Sequence, residues 1–201
     1  MGKYEDVFQR SIQDPTGFWG DAAQAITWDR KWDKVLDDTN KPFYRWFTGG
    51  EMNTCFNAVD RHVNSGRGDQ TAIIYDSPVT NTLQKITYRE LLDQVSRFAG
   101  VLKDQGVSKG TTVIIYMPMI PQAAVAMLAC ARLGAVHSVV FGGFAPHELA
   151  IRINDAKPRV MLTASGAVEG EQLLEYKPLL DKAIQEAEHK PEKCIIFQRQ
   201  I

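Results

Sequence analysis

Cysteine is scarce in this 201-residue chain. Cys55, Cys130 and Cys194 are the three present, widely spaced and odd in number, and none forms a C-x-x-C or pairs with a histidine. That pattern excludes a disulfide framework and gives no zinc-binding spacing, so no metal site is expected and a reducing compartment, the cytoplasm, is. An excess of one charge is also lacking. Lys and Arg number 23 against 24 Asp and Glu, a net charge of −1, so nothing electrostatic favours nucleic acid or an anionic membrane. An uninterrupted apolar run of about 20 residues, the length a membrane span needs, is missing too. The most apolar window, Ile120 to Phe144, holds Arg132 and His137 near its middle, and a central Arg costs at least ~2.5 kcal/mol in a bilayer. The amino terminus, MGKYEDVFQR, has no apolar core and does not read as a secretory signal. Asp6 stands where a myristoylation motif needs Ser or Thr.

What is present is a strong alternation of periods. Thr111 to Tyr116 is a β-branched run ending at Pro118. An almost wholly apolar helix is predicted from Pro121 to Leu133, stopped by Gly134, and a second β-branched run, Val136 to Phe141, breaks at Gly142-Gly143. This is strand–helix–strand. The pattern continues with a helix over 146–156, a strand over 159–163, a helix near 176–188 and a strand over 194–197, which implies a parallel sheet with right-handed crossovers. Pro146 and Glu148 suit the first turn of their helix. In open α/β sheets ligands bind outside the carboxyl ends of the strands. Gly142 and Gly143 lie at such an end, where the lack of a Cβ allows close approach. The alternative is a tight turn that needs positive φ.

Upstream, Thr87 with Glu90 three residues on predicts a capping box for a helix from Tyr88 to Gln105, with Leu91, Leu92, Val95, Phe98, Ala99 and Leu102 on its apolar face. Thr71 to Tyr75 reads as a strand and 77–84 as a polar, hairpin-like connection. Asn53 to Asn64 reads as a helix with Phe56, Val59 and Val63 on one side. All four tryptophans, Trp19, Trp28, Trp32 and Trp46, fall in residues 1–50. Beyond a short helix from Tyr4 to Gln13 that segment reads as a weakly regular arm anchored by large aromatics. An aromatic ligand box is the alternative.

Side chains able to carry chemistry are few. His137 has no Asp, Ser or Cys at catalytic spacing and is expected to be a satisfied core histidine rather than a general base. Asp60, Arg61 and His62 are adjacent on a helix and point different ways, so Asp60 or Arg61 is expected to form a structural ion pair with the body. Arg152 and Arg159 are expected to be solvated. Arg67-Gly68-Asp69 reads as a loop.

Several segments, in order, resemble the AMP-forming short-chain acyl-CoA synthetases. They are WFTGGEMNTCFNAVDRHV, GDQTAIIYDSP, ITYRELLDQVSRFAG, YMPMIPQAAVAMLACARLGAVHSVVFGGF and RINDAKPRVMLTAS. DKVLDD, YDSPVT, PHELA and EYKPLLDKAI resemble the propionyl-CoA branch more than the acetyl-CoA branch. The resemblance implies an α/β fold: an irregular aromatic arm over 1–65, then, over 66–201, the first doubly wound half of an adenylate-forming ligase domain. It implies ligation of propionate to CoA through an acyl-adenylate, with ATP, Mg²⁺ and CoA as partners. It also implies that Gly142 and Gly143 line the passage of the CoA pantetheine arm. The loop 166–172 would face the CoA phosphates through positions Glu169, Gly170, Glu171 and Gln172. Acetyl-CoA synthetases carry two arginines at the positions of Glu169 and Gln172, so this sequence departs from the pattern. Glu repels phosphate and Gln offers only a neutral amide. The family's Ser/Thr/Gly loop ending in Pro-Lys-Gly has no counterpart here, and TASGAVEGE lacks the Lys. The expectation is therefore the first part of a ligase, inactive in isolation and partnered by the remainder of that chain, with no catalytic residue of its own. A non-catalytic module that binds CoA or a nucleotide, and a folded stretch with no ligand, remain as alternatives.

Overall fold

A computed structural model describes residues 2–143, 145–170 and 172–201. The chain divides into two compact units, Met1–Asn53 and Thr54–Ile201.

The first unit is more regular than its composition suggests. Helix α1 (Lys3–Gln13) is followed by α2 (Pro15–Ala22), whose start is set by Pro15 at the first position and by Asp14, whose side chain accepts from Gly17 N at 2.9 Å. Strands β1 (Lys34–Asp37) and β2 (Arg45–Thr48) pair antiparallel. Trp28, Trp32 and Phe47 form a ring cluster with centroids 4.9–5.4 Å apart, and the Trp28 indole donates to Ala23 O at 3.0 Å. The tryptophans are not buried anchors, however. Trp19 and Trp46 are each 45% exposed, and Ala23 is the one buried hydrophobic of this unit among the described residues. Small size explains this: 53 residues cannot enclose rings of that area.

In the second unit, residues 54–67 form a helical stretch whose segments Phe56–Asp60 and Val63–Arg67 widen to π-type turns. Strands β3 (Thr71–Ser77) and β4 (Thr82–Thr87) make an antiparallel hairpin. The stretch 77–84 read as a connection thus holds the end of β3 and the start of β4. The mostly polar residues of β4, Thr82 to Thr87, sit on a half-exposed ribbon where hydrophobic alternation is weak. The capping box at α3 (Tyr88–Asp104) forms as expected. Glu90 N donates to Thr87 Oγ1 at 3.3 Å and Thr87 N donates to Glu90 Oε2 at 2.7 Å. The bond from Thr87 N, with a second from the Thr87 hydroxyl to Glu90 Oε2 at 2.9 Å, holds the Glu90 carboxyl below its ordinary pKa.

Strands and helices then alternate: β5 (Thr112–Met117), α4 (Pro121–Leu133), β6 (Val136–Phe141), α5 (Pro146–Ala156), β7 (Val160–Ala164) and, after a hairpin of β8 (Gly166–Glu169) and β9 (Gln172–Glu175), α6 (Tyr176–Glu186) leading to β10 (Lys193–Phe197). Four of these strands form one parallel sheet in the order β10-β7-β5-β6. Residues of β5 divide by period two. Val113, Ile115 and Met117 pack with α3 and α4, and Ile114 and Tyr116 pack with α5 and α6. Helices on both faces make the sheet doubly wound, as expected. Gly134 closes α4 with φ +69, the left-handed conformation that glycine adopts without cost. From β5 the chain steps one way to β6, and from β7 the other way to β10. The carboxyl ends of β5 and β7 therefore flank the topological switch point.

Charged residues sort differently from expectation at two places. His137 is exposed on the edge strand β6 and is not a core histidine. Arg159 is not simply solvated. It pairs with Glu192 at 2.9 Å and donates to Gln105 O at 3.1 Å. The structural ion pair expected of Asp60 is present: Arg132 on α4 holds it with two bonds of 2.7 and 2.8 Å. The same guanidinium donates to Cys55 Sγ at 3.4 Å. Burial pushes the Cys55 thiol up and Arg132 opposes it, while Cys130, buried in α4, is pushed up to about 12. Both are inert core thiols.

The Asp60 and Arg132 side chains are 16% and 28% exposed. Asp60→Ala strands a half-buried guanidinium and is expected to cost on the order of 2–3 kcal/mol in urea unfolding. Asp93→Ala breaks the exposed pair with Arg97 and is expected to cost under about 0.5 kcal/mol. Equal losses would show that the Arg132 pair contributes no more than a surface contact.

Candidate functional site

At the carboxyl end of the sheet lies a cleft of about 420 Å³. Strand β5 contributes Met117 and the turn Pro118–Met119, β6 contributes Val139 and Val140 followed by Gly142 and Gly143, β8 contributes Ala167 and Val168, and Tyr176 at the start of α6 closes one side. None of these side chains is charged. Such a cleft can surround a thin chain of methylenes and amides, but it offers no cation to neutralise a phosphate.

Gly142 is buried and Gly143 exposed. The φ of Gly142 is not positive, so the turn itself does not demand glycine there. The demand is steric: a Cβ at Gly142 would lie 2.7 Å from Tyr176 Cζ. Tyr116, wholly buried, donates its hydroxyl to Gly142 O at 3.1 Å and stacks on Tyr176 with centroids 4.8 Å apart and planes 27° apart.

The segment read as a loop over 166–172 is instead a β-hairpin, with Glu169 paired to Gln172 and Gly170 at the tip with φ +61. Backbone pairing rather than side-chain pattern makes it, since GAVE and QLLE are too short to show a period. Gln172 is exposed, whereas Glu171 and the Glu169 side chain lie outside the described residues. The structure thus brings Gly142 and Gly143 together with the base of the hairpin, Ala167 and Val168, and leaves Gly170 and Gln172 outside the cleft lining. Sequence reasoning missed Tyr116 and Tyr176. The available signal was a Tyr closing a fully buried strand, since a buried hydroxyl must find a partner.

A second hollow of about 210 Å³, between α3, α4 and β10, is lined by Phe98, Val125, Ile195 and Phe197 among others. Its lining has one polar side chain, Gln122, too little to orient a polar substrate.

Gly142→Ala is expected to force the Tyr176 ring aside and to destabilise the protein by about 1–3 kcal/mol, the usual range for overpacking, as read by urea unfolding. A loss below about 0.5 kcal/mol would mean that the ring yields freely and does not fix this turn.

Comparison with known proteins matches two family models in succession along the chain. The family model for the acetyl-coenzyme A synthetase N-terminus matches residues 4–58, and that for AMP-binding enzyme matches residues 59–200. The chain is 54% identical over 198 residues to the mitochondrial acyl-CoA synthetase short-chain family member 3 of Bos taurus, covering 98% of this chain and 29% of that protein. It is 48% identical to an acetyl-coenzyme A synthetase of Magnetococcus marinus, over 90% of this chain and 28% of the relative. Against the propionate–CoA ligase of Escherichia coli K12 it is 42% identical, over 98% and 31%. The chain therefore spans somewhat under a third of the length of these relatives. With a doubly wound parallel sheet and a family model matched across most of its length, the chain belongs to the AMP-binding enzymes.

Proposed function

We propose that the gene product carrying residues 1–201 is an AMP-forming ligase. It converts ATP, a short-chain carboxylate and CoA to acyl-CoA, AMP and diphosphate by way of an acyl-adenylate. In the second half-reaction the CoA sulfur attacks the acyl carbon, the thiol proton is lost, and the bond to AMP breaks. Propionate is the proposed acid. Overall identity ranks the relative named for acetate above the one named for propionate. The propionate reading rests on the segments DKVLDD, YDSPVT, PHELA and EYKPLLDKAI.

The task proposed for this stretch is to receive the pantetheine arm of CoA. The observation that supports it is the uncharged cleft between Gly142–Gly143 and Ala167–Val168 at the carboxyl ends of the strands. Pantetheine is thin, amide-linked and neutral, which suits that lining. Phosphate recognition is proposed to lie elsewhere, because Gly170 and Gln172 present no cation. Among the described residues no group of three His, Cys, Asp or Glu converges, so no step through magnesium is assigned to this stretch. No helix among the described residues is long and apolar enough to cross a membrane. The three cysteines are unpaired, which suits a reducing compartment, and the cytoplasm is the proposed location.

In the full gene product Gly143→Leu is expected to slow acyl-CoA formation at least about tenfold, a steric loss of one to two kcal/mol or more. Acid-dependent pyrophosphate exchange, which reports adenylation alone, is expected to stay within about twofold. Should both half-reactions fall together along with stability, Gly143 serves only the backbone. Should neither change, the pantetheine path does not pass this turn.

A further inference from the structure

The reading of the Gly142–Gly143 turn as the pantetheine wall raises the question of what holds two adjacent glycines still. Glycine has the largest backbone freedom of any residue, so a pair of them at a strand end has no fixed geometry of its own. Phosphate-free recognition of a neutral chain depends on close fit, and displacement of a wall by about 1 Å is enough to lose it.

Two tyrosines supply the constraint. Tyr116 sits on the central strand and faces α5 and α6, wholly buried. Its backbone pairs in register with Val140 of the neighbouring strand, and its hydroxyl reaches past that strand's end to donate to Gly142 O at 3.1 Å. Tyr176 fixes the other side. Its ring lies against Tyr116 at 4.8 Å and against the Cα of Gly142, filling the space a Cβ would take. Tyr176 is itself anchored, because its backbone N–H donates to Ser165 O at 3.0 Å, just after β7. The turn is therefore gripped by its carbonyl from strand β5 and at its Cα from the start of helix α6.

We infer that Tyr116 and Tyr176 are positioning residues for CoA: together they set the Gly142–Gly143 turn, and with it the width of the cleft, without touching the reacting atoms. This rests on the reading of the cleft as the pantetheine site. Tyr116→Phe keeps the ring and its stack and removes the hydroxyl that bonds Gly142 O. It is the diagnostic change, since it perturbs the turn and not the core.

The experiment compares the full gene product with Tyr116→Phe, Tyr116→Leu and Gly143→Leu. KM and kcat are measured against CoA, adenylation by acid-dependent pyrophosphate exchange, and stability by thermal unfolding. Tyr116→Phe is expected to raise KM for CoA about fivefold, the factor one lost hydrogen bond gives. Its kcat and pyrophosphate exchange are expected to stay within about twofold. Tyr116→Leu is expected to raise KM further, and if it fails to fold the Phe variant alone decides. A Tyr116→Phe enzyme with unchanged KM for CoA, alongside a Gly143→Leu enzyme blocked in thioester formation, overturns this inference and leaves the cleft assignment standing. A Gly143→Leu enzyme with normal thioester formation overturns both. Equal loss of adenylation and thioester formation in Tyr116→Phe makes the residue a structural one and also overturns the inference.

Discussion

Burial of β5 on both faces is the constraint on which the larger unit depends. Val113, Ile114, Ile115 and Tyr116 are each 0% exposed, which is attainable only if helices cover the two sides of the sheet. A strand cannot bury alternate side chains in opposite directions unless each direction offers a partner surface. Helices α3 and α4 supply one and α5 and α6 the other. Right-handed crossovers then leave no freedom in strand order: the chain must step to one side with α4 and return past β5 with α5. The switch point, and hence the place where loops part to form a cleft, follows from where a single apolar run sits in the sequence.

The cleft's lack of charge follows from the same burial. Of its walls, the end of β5 is apolar because that strand is central, and Val140 and Ala167 are buried although β6 is an edge strand and β8 part of a separate hairpin. Met117, Val140 and Ala167 are core residues that also face the cleft. A site assembled from strand ends of this kind recognises shape and length, and leaves recognition of charge to residues carried on longer loops. The exposed Gln172, where the resembled enzymes place a cation, is consistent with that division of labour.

Long periodic elements were legible in the sequence. Helices Pro121–Leu133 and Pro146–Ala156 and strand Val136–Phe141 have the predicted limits, because Pro at one end and Gly or a left-handed residue at the other leave little choice of boundary. The Thr87–Glu90 capping box and the ion pairing of Asp60 were legible for a similar local reason, although Arg132, 72 residues away, could not be named as partner. Strand β4 and the β8–β9 hairpin were not legible. Each has six residues or fewer and pairs only with its neighbour, so the ladder forms from backbone groups and the side chains carry no period. His137 was misjudged because an edge strand exposes one side of residues that look central by composition. The tryptophan-rich segment was read as better buried than it is, since ring size was weighed and the small enclosing volume was not.

The two adjacent glycines are alike in sequence and unlike in cause. Gly142 is buried, and its missing Cβ is accounted for inside the protein by the Tyr176 ring. Gly143 is exposed and lines the cleft. A glycine at a ligand site is commonly read as making room for the ligand, yet here the first of the pair makes room for a side chain, and that side chain in turn fixes where the second can stand. Had Tyr176 been a smaller residue, Gly142 could carry a Cβ, but the turn would then lose one of its two restraints. The order of causes therefore runs from the buried strand to Tyr116, from the stacked rings to Gly142, and only then to Gly143. Substitutions along that sequence should shift from affecting stability to affecting ligand as they approach the cleft.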